Sequence, residues 1–542
     1  MSFAAASAPS AATLKRVFWT AIGATLAFRL WLAWWFPMTG DEAYFVHWGE
    51  APGLGYYDHP PMVGWLLAAL VQLAHAKLVL RLPAVVLPAL IAIGMAWLVR
   101  ALAPAGPGPA SEADAERLGF AAALAWLLVP AQVLNVAITT DTPLAFFSFL
   151  SLAAFALGVH RGSRALLAAS GAALGLAFLS KYFAVMLGLG FLVFTILVPR
   201  QRRWRDLAIV IVAAAPFVLL NVAWNYEHCW ANLLHNVYNR DTSGGWSKPL
   251  VFAALLLYVS SPLLLWQLVR GARSVRAAAT QPPVAAIAAC ALAPLAVLAA
   301  ASPFKTIGLH WLLAFMPALF MTGAFALGAA RIAASARFLA GFSALHVVLV
   351  AAFAALPVEI WQSVRKYDSL VEAFHADELL AALRPYEGRF AFASSSYSSA
   401  ATLSYSGAEL GFLAQPAAAN DQRGAWRRHY FFVLGAASGH GRHDDLVTDF
   451  RRLDGRDILV VRKTPADPQE YAPLFRAVEF RDVTVRGATF QLVLGQGFSF
   501  PAYRDRVLAF VRDRYYRIPW YLPQGRCYVC ERYFGAATCP AR

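Results

Sequence analysis

Charged side chains are scarce in this chain. Asp, Glu, Lys and Arg supply 14% of its 542 residues and hydrophobic ones 59%, whereas a soluble globular chain carries about 25% charge. That deficit, with apolar runs of about 18 residues or more, excludes an ordinary soluble protein and calls for membrane spans. Acid is the scarcer sign: 31 Asp and Glu against 46 Lys and Arg, a formal net charge of +15. On a soluble chain such a surplus would suggest nucleic acid. Here much of the Arg flanks apolar segments, as expected at cytoplasm and anionic headgroups, so no nucleic-acid partner is expected. Cysteine is sparse, five in all. Cys290 lies in an apolar run and reads as a small core residue, while Cys527, Cys530 and Cys539 cluster near the C-terminus. The sequence shows no internal repeat and no long low-complexity tract. No cleavable signal peptide is expected, because the first apolar run is long enough to remain as a span.

What is present is a series of apolar segments. Eleven read as spans: 15–36, 79–99, 118–135, 142–159, 165–180, 182–199, 207–224, 249–269, 283–301, 310–329 and 338–356. Cations gather at alternate ends, among them Lys15, Arg16, Arg100, Arg117, Arg161, Arg164, Arg270, Arg273 and Arg276. The positive-inside rule then places the N-terminus in the cytoplasm and the C-terminal region outside. Met62–Ala76 is apolar but reaches only ~22 Å as a helix. It reads as a helix at the outer face, opened by Pro60-Pro61. From residue 357 the sequence turns polar. Asp457–Arg462 and Val483–Leu494 read as strands, and Glu372–Leu383 reads as a helix. The expectation is a polytopic α-helical membrane domain over 1–356 and a soluble extracytoplasmic α/β domain over 357–542.

The first outer loop holds Asp41, Glu42, Glu50 and Asp58 and no Lys or Arg. Acidic groups beside a helical bundle cost desolvation unless they are paired or used. Paired carboxylates suit base catalysis or a divalent metal, and a solvated acidic loop is the bland alternative. His47 and His59 lie in the same loop, and His228 and His235 lie further on. A lone interfacial His is usually not a ligand. Asp141 opens a span on the same face, where it also suits a helix N-terminus. Outward cations include Arg81, Lys181 and Lys305, with His310 close by; they could hold a phosphate or snorkel to headgroups. The loop Asn221–Pro249 carries Trp224, Tyr226, Trp230, Tyr238 and Trp246, which suit a membrane belt first and sugar stacking second.

These stretches together resemble membrane glycosyltransferases of the type C fold, nearest the protein-mannosyltransferase-like and lipid A aminoarabinose-transferase-like family. The resemblance rests on Gly40-Asp41-Glu42, Tyr56-Tyr57-Asp58-His59-Pro60-Pro61, Leu80–Pro83, Thr140–Pro143, Leu179–Tyr182 and Lys305 with His310-Trp311, and it covers residues 15–330. It implies a polyprenyl-phosphate sugar donor and inverting transfer to a hydroxyl or phosphate. Asp41 would be the general base, Glu42 would orient it or the acceptor, and Asp141 matches the second acidic position. Arg81, Lys181 and Lys305 would hold the donor phosphate, with Tyr57, Asp58, His59 and His310 beside the donor. His59 stands where the aminoarabinose transferases have Lys, which points to a weaker or pH-dependent phosphate contact.

The four acids Asp41, Glu42, Asp58 and Asp141 are expected to converge on one extracytoplasmic cavity. No cofactor is certain from the sequence, and a divalent metal stays open. Partners would be the lipid-linked donor, a glycolipid or glycan acceptor and membrane lipid; the place, a bacterial inner membrane. Cys527, Cys530 and Cys539 resemble half a zinc site or a disulfide set, and an oxidising compartment favours the disulfide. Rival readings are a flippase for a lipid-linked substrate, a polysaccharide ligase or polymerase, and a protein O-mannosyltransferase-type enzyme.

Overall fold

The computed structural model describes residues 9–103, 109–198, 201–239, 245–412, 431–435 and 448–535. The chain divides into two compact units. One comprises Met1–Trp35, Arg81–Leu220 and Asp241–Phe353; the other comprises Phe36–Leu80, Asn221–Arg240 and Ala354–Arg542. The last change of unit falls at Phe353/Ala354, and the upstream stretches Phe36–Leu80 and Asn221–Arg240 belong with the C-terminal residues.

The first unit is helical. Among the described residues six helices are long and apolar enough to cross a membrane: Ala11–Trp35, Lys77–Leu102, Asp141–Arg161, Arg203–Glu227, Pro282–Ala301 and Ala329–Ala355. A seventh arises if Ser247–Ser260 and Pro262–Arg270, bent by 96°, count as one. The bend falls at Ser261 (φ 78°) before Pro262 at the next helix's first turn, where proline's missing N–H does no harm. The other predicted spans are helical but shorter or broken. They appear as Arg164–Ser180, Ala184–Leu197 and Met316–Leu327, and as Pro109–Leu127 followed by Pro130–Leu134. Large rings fill the core, with Phe155 stacked on Phe191 at 4.0 Å.

Two buried arginines tie helix ends together in this unit. Arg29 donates to the carbonyls of Gln132 (2.7 Å), Asn135 (2.8 Å) and Ala84. Arg81 returns the link by donating to Ala33 O at 2.9 Å. The Gln132, Asn135 and Ala33 carbonyls lie at helix C-termini, which leave them unsatisfied, and the Ala84 carbonyl lacks its helical donor because Pro88 has no N–H; such partners make a buried guanidinium tolerable in an apolar core.

The second unit carries a five-stranded sheet, β1 (Ala391–Ser394), β2 (Phe431–Val433), β3 (Ile458–Arg462), β4 (Phe475–Val485) and β5 (Ala488–Phe498), in the order β2-β1-β3-β5-β4. β1 runs parallel to β2 and β3; β3–β5 and β5–β4 are antiparallel. The predicted strand 483–494 is the end of β4 and most of β5. Between them Arg486 (φ 48°) and Gly487 (φ 79°) form a two-residue turn, with Val485 opposite Ala488, as a right-twisted hairpin demands. Alternate residues feed two cores, Phe392, Leu459 and Val461 on one face and Ala393, Ile458 and Val460 on the other. The predicted helix 372–383 is two, Tyr367–Phe374 and Ala376–Leu383, broken at His375.

Met62–Ala76 contains the helix Met62–Val71, about 15 Å long and packed on Gly40–Glu50. Gly49 faces Leu67 so closely that a Cβ would collide with it. Cys229 bonds Cys527 across 298 residues, and Cys530 is also disulfide-bonded. The zinc alternative is thus corrected, as both thiols are used in disulfides. Cys539 lies outside the described residues.

Candidate active site

In the second unit the helix Gly40–Glu50 begins with a capping box. Thr39 Oγ1 accepts from Glu42 N, and Glu42 Oε2 accepts from Thr39 N (3.1 Å) and Thr39 Oγ1 (3.0 Å). Glu42 is fully buried, and its carboxylate secures two donors at the helix start. That fixes Asp41 in the first turn. Its Oδ1 accepts from Tyr397 Oη at 2.7 Å. Tyr397 opens the helix Tyr397–Glu409, whose N-cap Ser396 accepts from Ser399 N. The two helix starts are nearly in contact, since a Cβ on Gly40 would run into the Ser398 backbone. Asp41 therefore sits where two sets of N-terminal amides and two positive dipole ends meet. Tyr397 was missed in the sequence, because nothing local links it to Asp41.

The motif Tyr56–Pro61 lies in the same unit. Tyr56 stacks on Trp48 (4.2 Å), and its hydroxyl donates to Trp48 O at 2.9 Å and accepts from Gly53 N. Burial pushes the Tyr56 phenol well above its usual range, against a lowering from the Gly53 amide. Asn232 donates to Tyr56 O (3.0 Å) and Asn236 to Asp58 O (2.8 Å), so these two amides grip the motif backbone. Tyr57 packs against His235 and Tyr516. Asp58 is fully buried, and His59 is buried edge-on to Phe45 and Trp48. Trp224, proposed as a belt or stacking ring, instead lies on His228 (4.3 Å) and over Gly55. Glu50 takes His47 on one oxygen (3.5 Å) and His75 on the other (3.4 Å). No group of three or more metal-ligating side chains occurs among the described residues.

The first unit holds the remaining candidates. Lys181 Nζ donates to both oxygens of Asp141, at 2.9 and 2.8 Å, with only 6% and 12% of the two side chains exposed. Asp141 starts the helix Asp141–Arg161 and Lys181 ends Arg164–Ser180, so the pair clamps two helix termini. Lys181 also lies 5.7 Å from the Phe183 ring, which packs on Trp311 at 4.5 Å. This brings the turn carrying Lys305 and His310, both half-buried, to the same end of the unit. Arg81 is fully buried. Arg29, which the sequence did not single out, anchors Asn135 in the segment leading to Asp141. The candidates thus fall into two sets: Asp41, Glu42, Tyr57, Asp58 and His59 in one unit, and Arg81, Asp141, Lys181, Lys305 and His310 in the other.

Residues 58–225 match the family described as dolichyl-phosphate-mannose-protein mannosyltransferase. The lipid A galacturonosyltransferase RgtD of Rhizobium johnstonii is 31% identical over 191 residues, which are 35% of this chain and 38% of that protein. The match therefore spans well under half of the relative's length. Among solved structures, ArnT from Cupriavidus metallidurans bound to undecaprenyl phosphate superposes with a TM-score of 0.54 at 16% identity, over 88% of this chain and 97% of that one. Its apo form matches equally, over 89% and 98%. The chain has the type C glycosyltransferase fold, a polytopic helical membrane protein with a C-terminal sheet domain. The family resemblance seen in its motifs is borne out by the matched segment, which contains Asp58, His59, Arg81, Asp141 and Lys181.

Proposed function

We propose that this protein is an inverting membrane glycosyltransferase that moves a sugar from a polyprenyl-phosphate donor to a glycolipid or glycan acceptor. The observation that carries the reading is Asp41, held by Tyr397 at the junction of two helix starts. A carboxylate fixed there suits a general base. In the proposed step the acceptor oxygen attacks the anomeric carbon as Asp41 takes its proton. The bond from that carbon to the phosphate oxygen breaks, and the lipid phosphate leaves with one more negative charge. Cations offset charge that grows in this way. Lys181, Arg81 and Lys305 are assigned that role, and Tyr57, Asp58, His59 and His310 are assigned to the donor phosphate and sugar. Glu42 positions Asp41 through the capping box. Asp141 keeps Lys181 ordered until a phosphate shares its ammonium.

The undecaprenyl phosphate bound by ArnT supports a prenyl carrier. The lipid A acceptor in RgtD's name supports a glycolipid over a protein. The charge pattern supports an orientation with the C-terminal region in the periplasm of a bacterial inner membrane. The test is purified protein incubated with prenyl-phosphate sugars and envelope glycolipids, read by mass spectrometry. Sugar transfer lost in Asp41→Asn is the expected result. Lipid movement without transfer would favour a flippase and end the proposal, and transfer only to a peptide hydroxyl would replace the acceptor with protein.

A further inference from the structure

In the second unit a cavity of about 460 Å³ lies beside the Cys229–Cys527 disulfide, lined by none of the residues assigned to catalysis. Its base is stapled from several directions. Cys229 N donates to Arg526 O (2.8 Å), Trp230 Nε1 donates to Pro523 O (2.9 Å), and Gly525 approaches the Tyr226 carbonyl too closely for any Cβ. The turn before the disulfide puts two non-glycine residues, Cys229 (φ 59°) and Trp230 (φ 54°), in the left-handed region, which costs energy that the staples must offset.

The wall chemistry is mixed. Arg526 gives Nε and Nη2 to Glu531 (3.2 and 2.8 Å). Arg451 is held by Asp449 (2.9 and 2.8 Å) and reaches Arg532 O (3.3 Å). Arg532 lies 5.7 Å from the Tyr528 ring. Glu227 and His228 complete the lining, the latter resting on Trp224. A guanidinium has five donors in a fixed fork; Arg526 gives two to Glu531, and Arg451 gives three, to Asp449 and Arg532 O, so both keep donors for a second anion, with the Arg532 charge beside them in the lining. Glu227 and Glu531 accept hydrogen bonds but cannot donate, as sugar hydroxyls require. Tyr528 and His228 offer ring faces.

From this combination we infer that the cavity binds a saccharide carrying an anionic substituent, a phosphate or a uronate. Its arginines grip the anion, and Glu227 and Glu531 take sugar hydroxyls. The assignment stands apart from the transfer reaction, since it is a binding site and is tested by binding alone.

The full-length protein in detergent is titrated with glucosamine 1-phosphate, galacturonic acid, glucosamine and inorganic phosphate, with heat or saturation-transfer NMR as readout. Binding of either acidic sugar, at least tenfold tighter than glucosamine or phosphate alone, is the expected result, and the two arms tell phosphate from uronate. The double variant Arg526→Gln/Arg532→Gln should weaken it tenfold or more, while Arg504→Gln, whose partner is Asp505 outside the cavity, should leave it unchanged. If the double variant melts abnormally, Arg526→Gln alone carries the test, because that side chain is 73% exposed. No binding by either acidic sugar, equal binding of glucosamine or of inorganic phosphate, or full affinity in the arginine variant would each overturn the assignment.

Discussion

Tyr397 reaches Asp41 from 356 residues away, and this one bond separates positioning from proton transfer. A hydroxyl donating to a carboxylate is worth roughly 1.5–3 kcal/mol. Tyr397→Phe should therefore lower kcat about ten- to hundredfold, with KM nearly unchanged if the phenol only orients Asp41. Asp41→Asn keeps an acceptor for Tyr397 but cannot take a proton, so its loss should be deeper, on the order of 100- to 10,000-fold. Initial rates with a prenyl-phosphate sugar check both. The Asp141–Lys181 pair calls for a cycle. Lys181→Met strands a nearly buried carboxylate and should cost about 3–5 kcal/mol. Adding Asp141→Asn removes the stranded charge and should restore most of the melting temperature. If Lys181 serves the donor phosphate, transfer stays lost in the double variant; recovered activity would reduce the pair to a structural clamp.

Larger pieces are held in place by groups that act on backbone. Arg29 binds the end of Pro130–Leu134 and the start of Leu82–Leu102 from within Ala11–Trp35. Arg29→Met would leave three carbonyls without that donor, at about 1–3 kcal/mol for each buried orphan. It should drop the melting temperature in detergent more than any neighbouring Leu-to-Ala change on the lipid face. The turn 228–230 has its own sensitivity. Burial pushes the His228 imidazole below its ordinary value, and Arg526 adds to this, against the raising effects of the Trp224 carbonyl and Glu227. The folded turn thus binds fewer protons than the unfolded chain. Its stability is complete above about pH 6.5 and is lost as pH falls through the lowered folded value. Amide exchange at Cys229–Ala231 should accelerate below that point, and His228→Gln should flatten the response.

Across the whole chain, features that depend on local pattern were legible in the sequence, while those made by distant pairs were not. Apolar runs gave the helices, β-branched runs gave β3 and strand character on both sides of the β4–β5 turn, and ordered motifs gave the family resemblance. Arg486-Gly487 lacks the Asn-Gly or Asp-Gly signature, so two strands read as one. Cys527 pairs with Cys229 rather than with the adjacent Cys530, because spacing in sequence does not fix which sulfurs fold together. Tyr397 and Arg29 escaped for the same reason, their partners being supplied by the fold. The disulfide also tests the proposed orientation. Such bonds persist in oxidising compartments, and arginine clusters stay cytoplasmic. In spheroplasts of a Cys290→Ala strain, a membrane-impermeant maleimide applied after mild reduction should label Cys527 at once. A cysteine introduced by Arg273→Cys, exposed on Ala272–Ala278 and blocked from labelling by an intact membrane, should react only after permeabilisation. Immediate labelling at position 273 with protection at Cys527 would invert the topology and move every proposed donor contact to the wrong side.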